Sequence, residues 1–403
     1  MITSDRGFFV DNYVGTYRIV DDNGNAILIS EEFHPAREGE KKLIKKRLFC
    51  DDFKTNQYLL VDLANIDTSK DAEILDFCNR YGLPYSSAKI NDQQPGYYIM
   101  GIDFTEEAYA AWNPYYRNDT MTKSEFCRHV STAKRMMQIK YELESKEKKP
   151  LDMLKYLLPL LLYDRFALYN FDGDDPECHT PTTAFQYYFL SVRHKSKTTQ
   201  GKLAIDLLDF CSEIQAIGKN QNKVYIDKEL SRLLRKPYIQ KLYNLIIEVC
   251  KLDTAALNQM EYDEFFSLTV PFDLDIPQEL QQIMYDVAPF VLADSINELM
   301  HQVHPQMTPT ANGEFNVDWN FNFQFEGFCM ELLLMISSKN MLKKCKNPTC
   351  EKFFTPNEGH LDRMYCSHRC GSLVAKRRQR MKDKENPDRP RNKPGFASRK
   401  NGK

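Results

Sequence analysis

Two β-favouring runs in VGTYRIVDDNGNAILIS flank the polar tetrad Asp22-Asn23-Gly24-Asn25. Asn-Gly supplies the positive φ that a two-residue hairpin turn demands, so a β-hairpin is expected over about residues 15–30. Further along, Ile74, Leu75, Phe77, Cys78 and Tyr81 recur at helical spacing. Thr68 and Asp71 fit a capping box, Gly82 a left-handed stop, and Pro84 lies just beyond. From about residue 120 the pattern is helical in long stretches. The amphipathic run KSEFCRHVSTAKRMMQIKYELESKEKK is expected to end at Pro150. Further helices are expected in LDMLKYLLPLLLYDRFALYNF, TTAFQYYFLSVRH, AIDLLDFCSEIQAI, QKLYNLIIEVCKL, LQQIMYDVAPFVLADSINELMHQV and FEGFCMELLLMISSKN. The middle of the chain therefore reads as a helical bundle.

At 403 residues the chain exceeds the size of one ordinary core, so two or three structural units are expected. With 42% hydrophobic and 27% charged residues, the body has enough apolar surface to fold. The longest uncharged apolar run, Tyr156 to Tyr163, is far below the roughly 18 residues that span a bilayer. The first residues lack a basic stretch followed by an apolar one, so no secretory signal is expected. A soluble, cytoplasmic protein without a membrane partner follows from this reading. Seven cysteines (Cys50, Cys78, Cys127, Cys178, Cys211, Cys250 and Cys329) are scattered singly and read as small buried hydrophobes.

Charge is segregated. Residues 341–403 carry 18 Lys and Arg against 6 Asp and Glu, a balance of +12, while the preceding residues stand at −14. A basic end on an acidic body points to a polyanionic partner for that end. The last 21 residues, DKENPDRPRNKPGFASRKNGK, hold no Ile, Leu, Val or Met. They are expected to be disordered, because they cannot offset chain entropy by burial.

The remaining four cysteines lie in KKCKNPTCEKFFTPNEGHLDRMYCSHRCGSLVAKRRQRMK, spaced C-x4-C, fifteen residues, C-x3-C. Two close pairs at that separation are the layout of a tetrahedral zinc site, with Cys345, Cys350, Cys366 and Cys370 as ligands. Lys346-Asn347-Pro348-Thr349 is turn chemistry that lets the first pair face one ion. Phe353 and Phe354 begin a short strand, with Asn357-Glu358-Gly359 as its return turn. Cys366 and Cys370 are expected on one face at the start of a helix. His368 would point away, and His360 is the alternative fourth ligand. Four protein ligands close the sphere, so the zinc is expected to be structural. Beyond the second pair the helix carries Arg369, Lys376, Arg377, Arg378, Arg380 and Lys382, cations suited to lie along phosphates of DNA or RNA.

At CKNPTCEKFF and YCSHRCGSLVAKRRQR the chain resembles the bacterial CGNR (Cys-Gly-Asn-Arg) zinc-finger family. The segments LLVDLANIDTSKDAEILDFCNRYGLP and FEGFCMELLLMISSKNMLKKC also look like regions found in proteins of that layout. The resemblance is specific over roughly 40 residues of the finger. It implies a DNA-binding transcriptional regulator with a helical sensing or interaction domain in front, open to a protein or small-molecule partner. Ser372 and Leu373 stand where the family has Asn and Arg.

No phosphate loop, dinucleotide fingerprint, H-E-x-x-H or G-x-S-x-G is present, and no catalytic residue is assigned. The acidic run Phe171 to Pro181 reads as a solvated loop, and His301 with His304 as a weak i, i+3 pair. The expected fold is mainly α, with a small N-terminal α/β domain (1–115) carrying the hairpin and a helical domain (116–340). A treble-clef-like zinc finger with its basic helix (341–382) and the tail (383–403) follow. Function is expected to be nucleic-acid binding, the alternative being a protein-interaction module stapled by zinc.

Overall fold

The Asn-Gly signal forms the hairpin it predicts. In the computed structural model, strand β2 (Tyr17–Asp22) pairs antiparallel with β3 (Asn25–Ser30), Asp22 opposite Asn25. Gly24 takes φ 86 and donates its N–H to Asp21 Oδ1 at 2.8 Å. Strand β1 (Phe9–Val14) pairs with β4 (Ile44–Phe49), the latter drawn from the basic stretch before the first helix. A short β5 (Thr120–Thr122) adds to β3 and completes a three-stranded antiparallel sheet. The structure describes residues 9–22, 24–30, 44–49, 58–84, 120–164, 180–186, 189, 203–219, 237–263, 265–301, 303–309, 315–321, 324–337, 342–356 and 360–385.

The helices are α1 (Leu59–Ala64), α2 (Asp71–Tyr81), α3 (Lys123–Glu144), α4 (Pro150–Leu162) and α5 (Leu203–Lys219). After them come α6 (Pro237–Cys250), α7 (Thr254–Gln259), α8 (Gln278–Leu299) and α9 (Gln324–Ser337). Small antiparallel pairs interrupt the helical order: β6 (Glu261–Tyr262) with β7 (Leu268–Thr269), and β8 (His304–Pro309) with β9 (Phe315–Asn320). The chain is thus mainly helical with a small N-terminal sheet, as expected.

Residues Met1–Leu342 form one compact unit and Lys343–Lys403 another. The limits expected between 115 and 116 and between 340 and 341 fall outside the described residues, as do the acidic run through residue 179 and the tail from residue 386.

Within the larger unit, Phe77 of α2 packs edge-on against Phe126 of α3 and Phe328 of α9, with centroids 5.9 and 6.4 Å away. Leu28, Leu60, Leu63 and Ile74 are buried in the same unit. A second aromatic group joins Tyr163, Phe189, Phe210 and Tyr262, with Asp206 accepting from both tyrosine hydroxyls at 2.9 and 2.6 Å. Helix α4 is apolar almost all round, as suits a helix enclosed by others. Each of its buried leucines contributes about 2 kcal/mol by removal from water.

Two expectations about helix ends are corrected. Pro150 opens α4 at its first turn, where its missing N–H costs nothing; the preceding helix has already stopped at Glu144. Thr68 does not cap α2, whose N-cap is Lys70 without a side-chain bond; Glu73 instead accepts from Asp67 N. The capping box belongs to α3, between Thr122 and Glu125. Gly82 ends α2 at φ 82 as expected, donating to Cys78 O at 2.7 Å.

Two helix starts are capped by carboxylates distant in sequence. Buried Glu331 of α9 accepts from Leu59 N at 3.1 Å and Leu60 N at 2.8 Å, at the N-terminus of α1. Asp294 and Glu298 of α8 likewise accept from Thr182 N and Thr180 N, where residues 181–186 begin a helical turn. An anionic acceptor at a helix N-terminus meets both the orphan N–H groups and the helix dipole. Arg135 and Asp164 form a buried ion pair, and the same guanidinium donates to Phe265 O.

Candidate metal centre

The finger is built on a knuckle. Strands β10 (Lys343–Lys344) and β11 (Phe353–Phe354) pair antiparallel, and the chain between them turns so that Cys345 and Cys350 face the same point. Asn347 makes the turn: its carbonyl accepts Cys350 N at 2.8 Å, and its Oδ1 accepts Thr349 N at 3.4 Å. Cys345 N donates to Lys352 O at 3.0 Å, which closes the knuckle. Phe353 and Phe354 are buried, so the strand pair also supplies the finger's small core.

The second pair arrives from helix α10 (His368–Glu385) and the residues before it. Ser367 Oγ accepts Cys370 N at 3.2 Å, an N-cap bond that sets Cys370 in the first turn. Cys366 lies two residues ahead of the helix, a correction to the expectation that both cysteines share a helical face. The sulfurs still converge, because the loop is clamped. Arg363 Nε donates to Tyr365 O at 2.8 Å, its guanidinium also donates to Cys366 O, and it lies over the Phe354 ring at 5.6 Å. Tyr365 in turn packs on Gly371, where a Cβ would meet the ring at 3.4 Å.

All four sulfurs lie within 4.8 Å of one another. Cys350 Sγ is 3.6 Å from Cys366 Sγ, which is 3.7 Å from Cys370 Sγ. Zinc–sulfur bonds of about 2.3 Å at tetrahedral angles place sulfurs roughly 3.8 Å apart, whereas a disulfide needs about 2.05 Å. The donor set and its spacing therefore fit a tetrahedral thiolate-bound metal and not a pair of disulfides. His360 and His368 are exposed and outside the cluster, so the alternative with a histidine ligand is not what these residues form.

Electrostatics favour thiolate at one corner. Buried Asn347 donates Nδ2 to Cys370 Sγ at 3.5 Å, and this bond, followed by that from Ser367, holds the Cys370 thiol down at about 6. Cys366 N also points at Cys345 Sγ, 3.4 Å away. Burial pushes the Cys350 and Cys366 thiols up, a cost that a bound cation offsets.

No protein-family model, curated protein or solved structure matches the chain.

The expected basic residues divide into two groups. Arg377 turns back onto the knuckle, donating to Asn347 Oδ1 at 3.3 Å and Thr349 Oγ1 at 3.2 Å. Arg369, Lys376, Arg378, Arg380 and Lys382 are exposed along α10, and among the described residues no ion pair engages them. Val374 is buried, while Met381 on the same helix is 63% exposed. The helix runs on to Glu385, three residues past its expected end. Asn347, expected only as turn chemistry, and Arg363, to which the sequence assigned no role, are thus the groups that orient the cysteines. A short amide two residues after a ligand was the available signal for the first. Arg363 carried none, because its partners come together only in the folded loop.

His301 and His304 do not sit as an i, i+3 pair on one helix. His304 starts strand β8 instead of continuing the helix, and His301 Nδ1 lies 2.7 Å from Glu298 O at the end of α8. Among the described residues no helix is long and apolar enough to cross a membrane.

Proposed function

We propose that the C-terminal unit is a structural zinc centre that holds a basic helix against nucleic-acid phosphates, and that the chain is a nucleic-acid-binding regulator. The observation that carries this reading is the joining of the two features. Helix α10 receives its fourth-ligand cysteine in its first turn and then presents five exposed cations with no carboxylate partner among the described residues. A metal-bound thiolate set contributes on the order of 10 kcal/mol of coupled folding energy, so the ion rigidifies the helix start. Zinc would be held by Cys345, Cys350, Cys366 and Cys370, with Asn347 and the Cys366 N–H in support. With four protein ligands it would serve as a staple and not as a Lewis acid.

The likeness to CGNR fingers supports a regulator, and the side chains define its limits. Ser372 and Leu373 cannot supply the amide and guanidinium of that motif, so the proposed contact is to the backbone of the nucleic acid and carries little base specificity. If about five phosphates are neutralised, log K should fall by roughly 4 to 5 per decade of salt. Anisotropy titrations of the full chain with labelled duplex and single-stranded DNA at two ionic strengths test this. Charge reversal at Arg378 and Arg380 should weaken binding at least tenfold. Absence of binding at low salt to either probe would remove the proposal.

A second reading, a zinc-stapled protein-interaction module, draws on Leu361, Met364, Leu373 and Met381, which are exposed on the same unit at 53%, 45%, 40% and 63%. In that case the charge reversals leave partner binding intact, while polar substitution of Leu373 and Met364 abolishes it.

A further inference from the structure

Outside the finger, two thiols meet. Cys211 of α5 and Cys250, the last residue of α6, bring their sulfurs to 3.7 Å. Both side chains are only partly buried, whereas Cys78, Cys127 and Cys329 are fully buried. The expectation that all body cysteines are isolated hydrophobes therefore holds for those three and fails for this pair. Cys50 and Cys178 lie outside the described residues.

The environment separates the pair from the other thiols. Burial raises the Cys78 and Cys329 thiols and leaves them inert at neutral pH. Cys211, by contrast, is held below the ordinary thiol range by the hydrogen bond from Cys250, and Cys250 is pushed up by the same contact. Tyr243 lies beside them on α6: its phenol is raised first by burial and then by the two sulfurs. Two partly exposed thiols thus stand within reach of each other, with Cys211 the one held toward thiolate.

We propose that Cys211 and Cys250 are an oxidisable dithiol, which a low-molecular-weight disulfide converts into an internal disulfide tying α5 to α6. The Cys211 thiolate attacks one sulfur of the reagent disulfide, forming a mixed disulfide and expelling one reagent thiolate. Cys250 then gives up its proton and attacks the Cys211 sulfur, expelling the second reagent thiolate. The two protein thiols lose two electrons and two protons, and the reagent disulfide gains them as two thiols. Sulfurs 3.7 Å apart must close to about 2.05 Å, so the step is a local adjustment of two side chains on neighbouring helices.

The test is peptide mapping of the full chain, zinc added, after anaerobic incubation with oxidised glutathione and alkylation of the remaining thiols. The expected result is a Cys211 peptide linked to a Cys250 peptide and two fewer alkylated cysteines. Cys250→Ser should instead accumulate glutathione on Cys211. If wild-type Cys211 and Cys250 both stay alkylatable while other cysteines oxidise, the proposal is overturned. A glutathione adduct that persists on wild-type Cys211 without linking overturns it equally. The wild-type map decides even if the variant fails to fold.

Discussion

Asn347 is the sharpest place to test the centre, because one buried amide serves a ligand on one side and a cation on the other. Its Nδ2 donates to Cys370 Sγ at 3.5 Å, while its Oδ1 accepts from Arg377 at 3.3 Å and from Thr349. Asn347→Ala removes a bond to a charged acceptor, worth about 1.5–3 kcal/mol in general. The long N···S distance places the loss near the lower end. Arg377 is exposed, so leaving it without this acceptor adds little. A loss of about 1.5–2 kcal/mol corresponds to roughly 10–30-fold in metal affinity, inside the span usual for groups that orient metal ligands. Competition for zinc against a chromophoric chelator at fixed pH measures it on the full chain. Asn347→Asp separates the two roles: it keeps an acceptor for Arg377 but has no donor and sets a negative charge beside the thiolates. It should lose at least as much affinity as the alanine variant. Wild-type affinity in Asn347→Asp, or an equal loss in Arg377→Ala, would show that the amide acts only as an anchor for the arginine.

The two kinds of arginine on α10 should part in a salt titration. Arg378→Ala is expected to reduce the slope of log K against log salt by about 0.9, whereas Arg377→Ala should leave the slope unchanged and lower the finger's resistance to chelator. Equal slopes for the two variants would contradict that division. In the larger unit, Glu331→Ala removes two charge-assisted bonds to buried backbone N–H groups and should cost about 3 kcal/mol or more, read as a lowered urea midpoint by far-ultraviolet circular dichroism. A shift under about 1 kcal/mol would mean that α1 is held by packing alone. His129 is buried, and burial, with Arg128 nearby, lowers its pKa to about 3 against 6.5 for the free group. The unfolded chain therefore binds the extra proton first. Stability from this group is full above about pH 6.5 and is lost as pH falls towards 3, at up to about 1.4 kcal/mol per pH unit. His129→Gln should flatten the stability profile between pH 7 and 5; an unchanged profile would refute the assignment.

Local features of this chain were legible from residue order alone, because each rests on chemistry between near neighbours. The Asn-Gly pair in the sequence announced a hairpin, and Gly24 takes the positive φ that such a turn demands. Gly82 ended α2 because a left-handed residue is cheapest without a Cβ. The spacing of Cys345, Cys350, Cys366 and Cys370 announced a tetrahedral thiol set, since two tight pairs need only one loop to meet. The expected ranges of α3, α5, α6, α8 and α9 were close for the same reason: an apolar face at helical period is visible within one window.

What the tertiary structure alone decided are the pairings that span long stretches of chain. The basic run Ile44–Phe49 became a strand only through its partner Phe9–Val14, and nothing in its own pattern demanded one. The helix start at Leu59 shows no local cap, because its acceptor is Glu331, and near Thr182 the local Thr180 hydroxyl is joined by Asp294 and Glu298 from α8. Arg377 looked like one more cation until the knuckle folded beneath it, and Cys211 and Cys250 looked solitary until two helices met. In each case the partner group is supplied by the fold: proximity in space, not in sequence, determines which polar or reactive atom finds its complement.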